Sequence, residues 1–493
     1  MNTLKNYYEK YPLTIIILVA FIIRMFSVLF AKGYGMHDDH FLIIETSRSW
    51  ASGWDFQGWL QTIPQGHSFT YPLLLFFLFK GLMFVGIENL DIQMYFIRFV
   101  HALFSLLTIY FSYKIVFRST NEKKLANISA WILCLLWCLP WLSVRNLVEI
   151  TCIPFLLWAT WLYIRNSSPL TKDIIYSGAV MGLAFAFRFQ VVFFIGGFGL
   201  AILIYKQWKN AIIWTISLLI VFCLTQISDI FIWHRPFAEM QEYILYNFTN
   251  AGDYPQGGFF KYFGVLLGML VPPISVLLMF GFFYGYKRLF LFLPSFCFFL
   301  FHSIFPNKQE RFIFPIIPFV IFLGIIGLWD LANKQPLLYK YKRIIKVCII
   351  ISIILNTILL VPVTVHYSKK ARVESMVHFS KYDLDNFTYI VENSEGKDRI
   401  MMPRTYANAY CTQYNLNDWD TFSKDFDTLS TPAFVLFFDD KNTSHRISKM
   451  KAYYPNLQYD TTIKPSFLDN LMRKINNHNK NFPYIAYKNF NHR

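Results

Sequence analysis

The apolar run LTIIILVAFIIRMFSVLFA, residues 13–31, is followed by the polar stretch MHDDHFLIIE, residues 36–45. The run has about the length that a membrane-spanning helix needs, roughly 20 residues. Asp38, Asp39 and Glu45 place carboxylates directly after it, and carboxylates beside a bilayer usually serve a function. This pair of segments predicts a retained first membrane span that leads into a functional loop.

The composition extends this prediction to the whole chain. Of the 493 residues, 55% are hydrophobic, 19% aromatic and 15% charged, which is typical of a polytopic membrane protein. The net charge is +16, and Lys and Arg cluster in short loops between apolar runs. Such loops mark the cytoplasmic side and contact anionic membrane lipids, so the charge does not indicate a nucleic-acid partner.

About eleven apolar runs reach the ~20-residue length of a span. After residues 13–31 they are centred near residues 105, 136, 157, 181, 198, 222, 273, 297, 322 and 355. The short run Tyr71–Val85 is predicted to be re-entrant or interfacial. Residues 174–205 are predicted to form two short spans that separate at Arg188 and Gln190, because a membrane-embedded arginine must face protein or a polar cavity.

With the basic loops on the cytoplasmic side, the remaining loops lie on the opposite side. These are residues 32–92, 145–149, 234–261, 306–311 and everything after about residue 366. Beyond that point the apolar runs shorten to strand length, at Phe387–Val391, Arg399–Met402 and Ala433–Phe438. The sequence therefore predicts a transmembrane catalytic domain over 1–366, with a first external loop at 32–70, and a small extracytoplasmic α/β domain over 367–493.

Six of the seven cysteines lie in apolar runs, so the sequence predicts neither a disulfide framework nor a Cys/His metal site.

The acidic loop has the residue types of general acid–base chemistry. Asp38 and Glu45 are seven residues apart and would share one face of an α-helix. A carboxylate held among aromatic side chains near a bilayer has its pKa raised toward the range that deprotonates a hydroxyl. Asp38 and Glu45 are therefore candidates for a general base and its partner, and the alternative is a merely solvated acidic loop.

A second charged insert, FPNKQERF at residues 305–312, interrupts two apolar runs. It places Lys308 and Arg311 on the side that should be poor in positive charge. Arg binds phosphate in bidentate geometry and Lys binds it as a point charge, so the insert is a candidate phosphate site. The alternative is an anchor whose side chains snorkel to the membrane surface.

The stretch HSIFPNKQERFIFPI, residues 302–316, closely resembles the His and Lys-Glu-Glu-Arg-Phe-Leu-Phe-Pro signature of the family 22 glycosyltransferases. These are the polyprenyl-phosphate-mannose-dependent mannosyltransferases of GPI-anchor and N-glycan assembly, and they have a GT-C fold. Further similar motifs follow the family's order: Asp38–Glu45, Arg98–Ser105, Arg145 with Glu149, Asp229 followed by Tyr246 and Asn247, and Met402–Tyr406.

The resemblance implies a GT-C type polytopic α-helical membrane protein with a small C-terminal α/β domain. Its implied activity is inverting transfer of mannose from polyprenyl-phosphate-mannose to a glycolipid or a lipid-linked glycan, with Asp38 as general base. Asp39 and Glu45 are the other implied catalytic residues. The implied ligands of the donor phosphate are Lys308, Arg311, His302 and Arg188. Further candidates are Glu310, Arg145, Glu149, Asp229, Tyr246 and Asn247.

Three positions depart from the family pattern. Asp39 stands where the family usually has Glu, Gln309 replaces a Glu, and Asn307 replaces a frequent His. These departures leave the sugar and the acceptor open. Another GT-C enzyme, moving glucose, arabinose or an amino sugar, is therefore one alternative. A transporter or lipid flippase is the other, although it needs neither acidic external loops nor an external α/β tail.

No cofactor and no divalent metal are expected, because an arginine or lysine can neutralise the leaving phosphate. A cytoplasmic Asp-x-Asp pair, which a nucleotide-sugar enzyme would favour, is not evident in the sequence. The expected location is a bacterial cytoplasmic membrane with a periplasmic active site, in preference to the ER membrane.

Overall fold

Tertiary contacts divide the chain into two compact units. The helical unit comprises Met1–Val28, Gly58–Leu74 and Arg98–Val365, and the mixed unit comprises Leu29–Gln57, Leu75–Ile97 and His366–Arg493. The computed structural model describes residues 9–60, 63–253, 256–334, 341–395, 400–438, 442–476 and 480–489.

Long apolar helices dominate the part of the chain before residue 365. Within the described ranges, five helical segments are long and apolar enough to cross a membrane: Pro12–Phe30, Leu90–Thr120, Trp208–Trp233, Glu310–Lys334 and Lys342–Thr364. Five apolar helices are shorter: Thr70–Phe84, Val148–Ile164, Phe189–Ile204, Ile274–Lys287 and Leu289–Ile304. The other α-helices among the described residues of the helical unit are Lys123–Leu135, Leu139–Leu142, Thr171–Phe187, Ala238–Thr249 and Lys261–Met269. The predicted number of eleven spans is not confirmed by these lengths.

The helix Glu310–Lys334 forms the centre of the helical unit. In its most apolar 18-residue stretch, 89% of the residues are buried. In the corresponding stretch of Lys342–Thr364, only 6% of the residues are buried. The backbone of this helix packs directly against the helix that contains Gly281. A Cβ atom added to Gly327 would come 1.9 Å from the carbonyl oxygen of Gly281. Small residues at such crossings let membrane helices pack backbone to backbone. The central helix therefore gives the preceding charged insert a rigid support.

The charged insert enters this helix through a tighter turn. Residues Glu310–Ile316 form a 3-10 helix, which continues as the α-helix Ile317–Lys334. Pro315 lies within the 3-10 helix, whereas Pro318 is the second residue of the α-helix, where a missing backbone N–H breaks no intrahelical hydrogen bond.

The predicted interruption at Arg188 is confirmed. The helix Thr171–Phe187 ends there, since Arg188 has extended backbone angles, φ −149° and ψ 109°. A 3-10 turn, Phe189–Val191, then leads into the helix Val192–Ile204. The break directs a long basic side chain into the interior of the helical unit instead of along a helix surface.

In the mixed unit, the acidic loop forms an unusual helix. Residues Asp39–Glu45 are a π-helix, which runs directly into the α-helix Thr46–Ala51. A π-helix bonds residue i to residue i+5 and occurs mostly as short segments at functional sites. The expectation that Asp38 and Glu45 share one α-helical face is therefore wrong, because the wider turn changes the side-chain period.

The tail of the mixed unit contains a five-stranded sheet. Its strands are β1 (Asn386–Glu392), β2 (Tyr410–Leu416), β3 (Phe434–Phe438), β4 (Leu457–Ile463) and β5 (Tyr484–Asn489), in the order β2-β1-β3-β5-β4. β1 pairs in parallel with β2 and β3, whereas β5 pairs antiparallel with β3 and β4. The helices around it are Lys370–Phe379, Trp419–Asp425, Thr443–Tyr453 and Phe467–Ile475.

This sheet confirms the predicted α/β character of the tail. The predicted strands 387–391 and 433–438 correspond to β1 and β3. The predicted strand Arg399–Met402 is wrong over residues 400–402, which are irregular, and Arg399 lies outside the described residues. Every residue of β3 is buried, as expected for a central strand covered on both faces.

Candidate active site

The helical unit brings three of the predicted charged residues into one buried cluster. Arg188 Nη1 forms an ion pair with Glu149 Oε1. Arg311 Nε lies 3.7 Å from the same carboxylate oxygen. All three side chains are buried, and one carboxylate therefore faces two guanidinium groups. We name Glu149, Arg188 and Arg311 the arginine cluster, and its formal charge is positive.

Glutamine side chains and one aromatic ring orient the two guanidinium groups. Arg188 Nη2 donates to Gln190 Oε1, and Arg311 Nε donates to Gln309 Oε1 at 2.9 Å. The guanidinium carbons of Arg188 and Arg311 lie 5.3 and 5.4 Å from the centre of the Phe312 ring. Both distances are within the range of cation–π attraction. The Arg-Phe pair of the 302–316 motif thus supplies one cation and the aromatic surface that both cations share.

His302 lies beside the same aromatic ring. Its ring centre is 6.2 Å from that of Phe312, and its Nδ1 donates to the carbonyl of Phe298 at 2.8 Å. This bond leaves Nε2 as the acceptor nitrogen of the neutral imidazole. A buried acceptor nitrogen in this position is suited to a hydroxyl group of a ligand.

Three buried polar atoms of this region find no hydrogen-bond partner among the described residues. They are Arg188 Nε, Glu149 Oε2 and His302 Nε2. A buried polar group without a partner costs roughly 1–3 kcal/mol, and such groups in native structures need an explanation. A polar ligand with both acceptor and hydroxyl groups would satisfy all three atoms.

Lys308 has a different setting from the one expected of a phosphate ligand. Its Nζ donates to the carbonyl oxygens of His302, Ser303 and Phe305 at 3.0, 2.7 and 2.9 Å. An ammonium group has three N–H donors, so all three are engaged at the C-terminal end of the helix Leu289–Ile304. Lys308 is also buried, and burial lowers its pKa. The side chain of Lys308 therefore caps the C-terminal end of this helix.

Two more predicted residues, Glu310 and Arg145, each contact a neighbour of their own. Glu310 is exposed and forms an ion pair with Lys261 at 3.4 Å. Arg145 is buried, and its guanidinium carbon lies 4.2 Å from the centre of the Trp141 ring. Glu310 thus contacts Lys261, and Arg145 contacts Trp141.

The remaining predicted residues of the helical unit stabilise their own segment. Asp229 accepts a hydrogen bond from the backbone N–H of Glu239 at 3.0 Å. Asn247 Nδ2 donates to the carbonyl of Tyr243 at 2.8 Å, and Tyr246 is exposed on the same helix. These contacts fix the helix Ala238–Thr249, and the roles predicted for Asp229, Tyr246 and Asn247 stay predictions.

In the mixed unit, the three carboxylates of the acidic loop have three different environments. Asp39 is buried, and its oxygens accept the backbone N–H groups of Gly35 and Met36 at 2.9 and 3.0 Å. Asp38, the preceding residue, is partly exposed. Asp39 therefore holds the turn that leads into the π-helix, and Asp38 is the more accessible carboxylate.

Glu45, at the other end of the π-helix, is completely buried. It accepts a hydrogen bond from Gln57 Nε2 at 2.6 Å and one from the backbone N–H of Thr405 at 3.4 Å. Burial raises the pKa of Glu45 to about 7, although Arg404, with its Nε 3.9 Å away, opposes the shift. Glu45 thus joins the acidic loop to the 402–406 motif.

His40 makes a second link between the same two motifs. Its ring stacks against Tyr34 at 4.8 Å and against Tyr406 at 5.7 Å. Burial lowers its pKa to about 3, so the imidazole is neutral at physiological pH. The sequence showed both motifs as family-like stretches but not their contact, since about 360 residues separate Glu45 from Thr405 along the chain.

Comparison with known proteins gives one family match and several structural neighbours. The sequence profile of the Alg9-like mannosyltransferase family matches residues 15–403. No curated protein sequence gives a significant match. The crystal structure of ArnT from Cupriavidus metallidurans bound to undecaprenyl phosphate aligns with a TM-score of 0.63 and 12% identity, over 97% of this chain and 98% of that chain.

Two further solved structures are similar. ArnT from the same organism in the apo state aligns with a TM-score of 0.62 and 12% identity, over 97% of both chains. The oligosaccharyltransferase of Archaeoglobus fulgidus, in complex with Zn and sulfate, aligns with a TM-score of 0.58 and 12% identity. That alignment covers 91% of this chain and 71% of that chain. At this identity the similarity shows the fold alone.

The fold shared with these GT-C enzymes confirms the predicted GT-C architecture and an integral membrane protein. The family match covers well over half of the chain, so the predicted resemblance to the family 22 enzymes is confirmed. The transporter or flippase alternative is thereby set aside. This chain belongs to the Alg9-like mannosyltransferase family and is an integral-membrane glycosyltransferase.

Proposed function

We propose that this protein transfers mannose from polyprenyl-phosphate-mannose to a glycolipid or a lipid-linked glycan, with inversion from a β-linked donor to an α-linked product. The observation that carries the proposal is the arginine cluster, in which two buried guanidinium groups share one carboxylate. A buried excess of positive charge fits a phosphate-containing substrate. The undecaprenyl phosphate in the ArnT structure supports a polyprenyl-phosphate donor.

The arginine cluster is proposed to bind the donor phosphate. When the bond between the anomeric carbon and the phosphate oxygen breaks, negative charge grows on the departing polyprenyl phosphate. Fixed cations lower that barrier most where water is excluded, and Arg188 and Arg311 are both buried. Glu149 holds the two guanidinium groups in place, so positioning is its proposed role.

His302 and Lys308 have supporting roles in this proposal. His302 Nε2, as an acceptor, is suited to a hydroxyl of the transferred sugar beside the donor phosphate. Lys308 positions the insert through its three carbonyl contacts and adds positive charge to the region. The guanidinium groups take the place of a divalent cation, so we expect the enzyme to need no metal and no cofactor.

Asp38 is the proposed general base. Of the three carboxylates, Asp39 is engaged by backbone N–H groups and Glu45 is buried against Gln57 and Thr405, whereas Asp38 is partly exposed. Asp38 takes the proton of an acceptor hydroxyl as that oxygen attacks the anomeric carbon. The products are an α-mannoside and polyprenyl phosphate, and the proton remains on Asp38. Asp39 and Glu45 are then positioning residues.

The proposal also includes two domains and a location in the cell. Residues 1–366 would form the catalytic transmembrane domain, with the first external loop at 32–70, and residues 367–493 the extracytoplasmic α/β domain. The clustering of Lys and Arg in the cytoplasmic loops supports placing the acidic loop outside. We place the enzyme in a bacterial cytoplasmic membrane with a periplasmic active site, in preference to the ER membrane.

The test is transfer of radiolabelled mannose from synthetic polyprenyl-phosphate-mannose to a membrane lipid extract. Purified wild-type protein should label a lipid, and the folded Asp38→Asn variant should not. If wild type fails with this donor while acceptor-rich extracts are present, the proposed sugar is wrong and another lipid-linked sugar takes its place. Full activity of the variant would remove Asp38 from the mechanism.

A further inference from the structure

A second basic site lies entirely within the mixed unit. A cavity of about 500 Å³ is lined by residues 34–37 and Phe41 of the acidic loop, by Lys369 and Arg372, and by Met401. That volume is within the usual range of ligand pockets, ~300–1,000 Å³. The cavity shares no residue with the arginine cluster, whose members all belong to the helical unit.

Two cations from one helical turn give this cavity its charge. Lys369 caps the helix Lys370–Phe379, and Arg372 follows three residues later, so both side chains reach the same wall. The described residues of the lining include no carboxylate. Burial and the charge of Arg372 lower the pKa of Lys369, which is the effect expected where positive charges are crowded.

The groups in contact with Arg372 do not neutralise it. Arg372 interacts with the phenols of Tyr34 and Tyr484. Burial raises the pKa of both phenols, that of Tyr484 to about 12, so they are neutral at physiological pH. The Nε of Arg372 is buried and finds no acceptor among the residues that the structure describes. The wall therefore presents hydrogen-bond donors and an excess of positive charge.

The two carboxylates that act on Lys369 also hold other hydrogen-bond donors. Asp469 accepts hydrogen bonds from Asn481 Nδ2 at 3.0 Å and from the backbone N–H of Lys370 at 3.3 Å. Asp39 accepts the backbone N–H groups of Gly35 and Met36. Both raise the pKa of Lys369 but only partly offset its burial and the charge of Arg372, and Asp469 also accepts a hydrogen bond from the backbone of Lys369. An anion in the cavity would complete the charge balance.

We infer that this cavity binds the phosphate group of the acceptor, the phosphodiester or pyrophosphate that links an acceptor glycan to its lipid. The inference rests on the proposed function and adds the chemical class of the acceptor. The acceptor is favoured over the donor because the donor phosphate is already assigned to Arg188 and Arg311, neither of which lines this cavity. Lys and Arg are the side chains that hold phosphate oxygens.

The test uses the full chain in a neutral maltoside detergent, with inorganic pyrophosphate as the probe in isothermal titration calorimetry. Saturating citronellyl phosphate, a short polyprenyl phosphate, is present throughout so that donor-type phosphate sites are occupied. The variants are Lys369→Gln with Arg372→Gln, and Arg372→Lys as a conservative exchange. Lys370→Gln is the matched control, since it removes a neighbouring charge that does not line the cavity.

We expect wild type to bind pyrophosphate under these conditions. The double variant should bind it at least about tenfold more weakly, because hydrogen bonds to charged groups are the strong ones. Lys370→Gln should bind like wild type, and Arg372→Lys should fall between wild type and the double variant. Arg188→Gln, which alters the arginine cluster, should leave pyrophosphate binding unchanged.

Two results would overturn the inference. Unchanged binding by the double variant would show that the cavity is not the anion site, and abolition of wild-type binding by citronellyl phosphate would assign the cavity to the donor. Lys369→Gln alone, which leaves Arg372 and its tyrosine contacts intact, decides the case if the double variant does not fold. Because binding is read without turnover, a failure of mannose transfer is distinguishable from a failure of this inference.

Discussion

The acidic loop of the mixed unit and the arginine cluster of the helical unit hold their charges in opposite ways. In the loop, each buried carboxylate has its own donors, Asp39 from the backbone and Glu45 from Gln57 and Thr405. In the cluster, two guanidinium groups share the single carboxylate of Glu149. Both buried carboxylates of the loop are therefore held by hydrogen-bond donors and Asp38 is the more accessible one, whereas the cluster retains buried positive charge.

This difference indicates which residues are suited to chemistry in each region. A general base must exchange its proton, so the accessible carboxylate is the one suited to the task. Charge stabilisation needs fixed groups away from water, so the buried cations are suited to a phosphate. Burial thus argues against a catalytic role for Asp39 and Glu45 and in favour of one for Arg188 and Arg311.

The largest effect is expected from Asp38→Asn. An amide cannot accept the proton of the acceptor hydroxyl, so kcat should fall by about 10²–10⁴-fold, while KM for the donor stays near wild type. The control is Asp55→Asn, since Asp55 lies in the same loop region and accepts a hydrogen bond from Trp50 at 3.1 Å. Initial-rate kinetics measure both parameters. A rate within tenfold of wild type for Asp38→Asn would contradict the contrast between accessible and buried carboxylates.

Arg311→Gln is expected to have the next largest effect. It removes one of the two buried cations, so kcat/KM for the donor should fall by about 10²–10³-fold, as when one oxyanion donor is deleted. Arg311→Lys should restore part of this loss because it keeps the charge without the bidentate fork. Arg288→Gln is the control, since Arg288 pairs with Asp330 at 3.3 Å near the surface. Equal losses in Arg311→Gln and Arg288→Gln would show that charge in general matters and not the cluster.

The burial of Glu45 predicts a pH-dependent stability. Its folded pKa of about 7 lies above the ordinary value of 4.5, so the folded state holds the proton more tightly than the unfolded state. Stability from this group therefore falls as pH rises from about 4.5 to about 7, by up to about 3 kcal/mol, and is constant above that range. Thermal unfolding midpoints at pH 5 and pH 8 should differ less in Glu45→Gln than in wild type.

The titration of His40 does not affect the comparison between wild type and Glu45→Gln. Its lowered pKa of about 3 means that its contribution to stability is lost as pH falls below its ordinary value of 6.5, which is the opposite direction. Because wild type and Glu45→Gln both contain His40, its effect cancels in their difference. An identical pH dependence in the two proteins would mean that Glu45 ionises normally.

Lys308→Gln separates a structural role from a phosphate-binding role. The three carbonyls that accept from Lys308 would lose a charged donor, so the free energy of unfolding should fall by about 1–3 kcal/mol. The rise in donor KM should be smaller than for Arg311→Gln. The opposite result, unchanged stability with a large rise in donor KM, would place Lys308 directly on the phosphate.

The smallest effect is expected from chelation. If guanidinium groups neutralise the leaving phosphate, incubation with EDTA should leave the transfer rate unchanged within experimental error. The rate should be compared before and after addition of Mg²⁺ or Mn²⁺. A rate that is lost with EDTA and restored by either ion would assign the neutralising role to a metal and remove it from the arginine cluster.

The sequence predicted those features that depend on local pattern. The interruption at Arg188 followed from a basic residue within an apolar run, and the strands β1 and β3 followed from short apolar segments. The strand β2 was missed because its sequence, YCTQYNL, mixes polar and apolar residues. The family resemblance came from the 302–316 motif and is confirmed by the family match.

Features that depend on tertiary contacts were not predictable. Glu149 and Arg188 were separate candidates, and their ion pair joins residues from different helices. Glu45 and the 402–406 motif meet only in the folded mixed unit. The π-helix was also missed, because hydrophobic patterns assume a regular α-helical period and do not reveal an i+5 bonding pattern. Contacts between residues that are distant in the sequence therefore separate the residues that hold the structure from those that are available for a ligand.

The division of roles between Asp38 and the arginine cluster is tested most directly by measuring donor binding and sugar transfer on the same two variants. Asp38→Asn and Arg188→Gln are each compared with wild type, using radiolabelled polyprenyl-phosphate-mannose for equilibrium binding and for turnover. The account predicts that Asp38→Asn binds the donor like wild type but does not transfer mannose, whereas Arg188→Gln loses both binding and transfer. Equal loss of donor binding in both variants, or normal donor binding by Arg188→Gln, would contradict the division between proton acceptor and phosphate site.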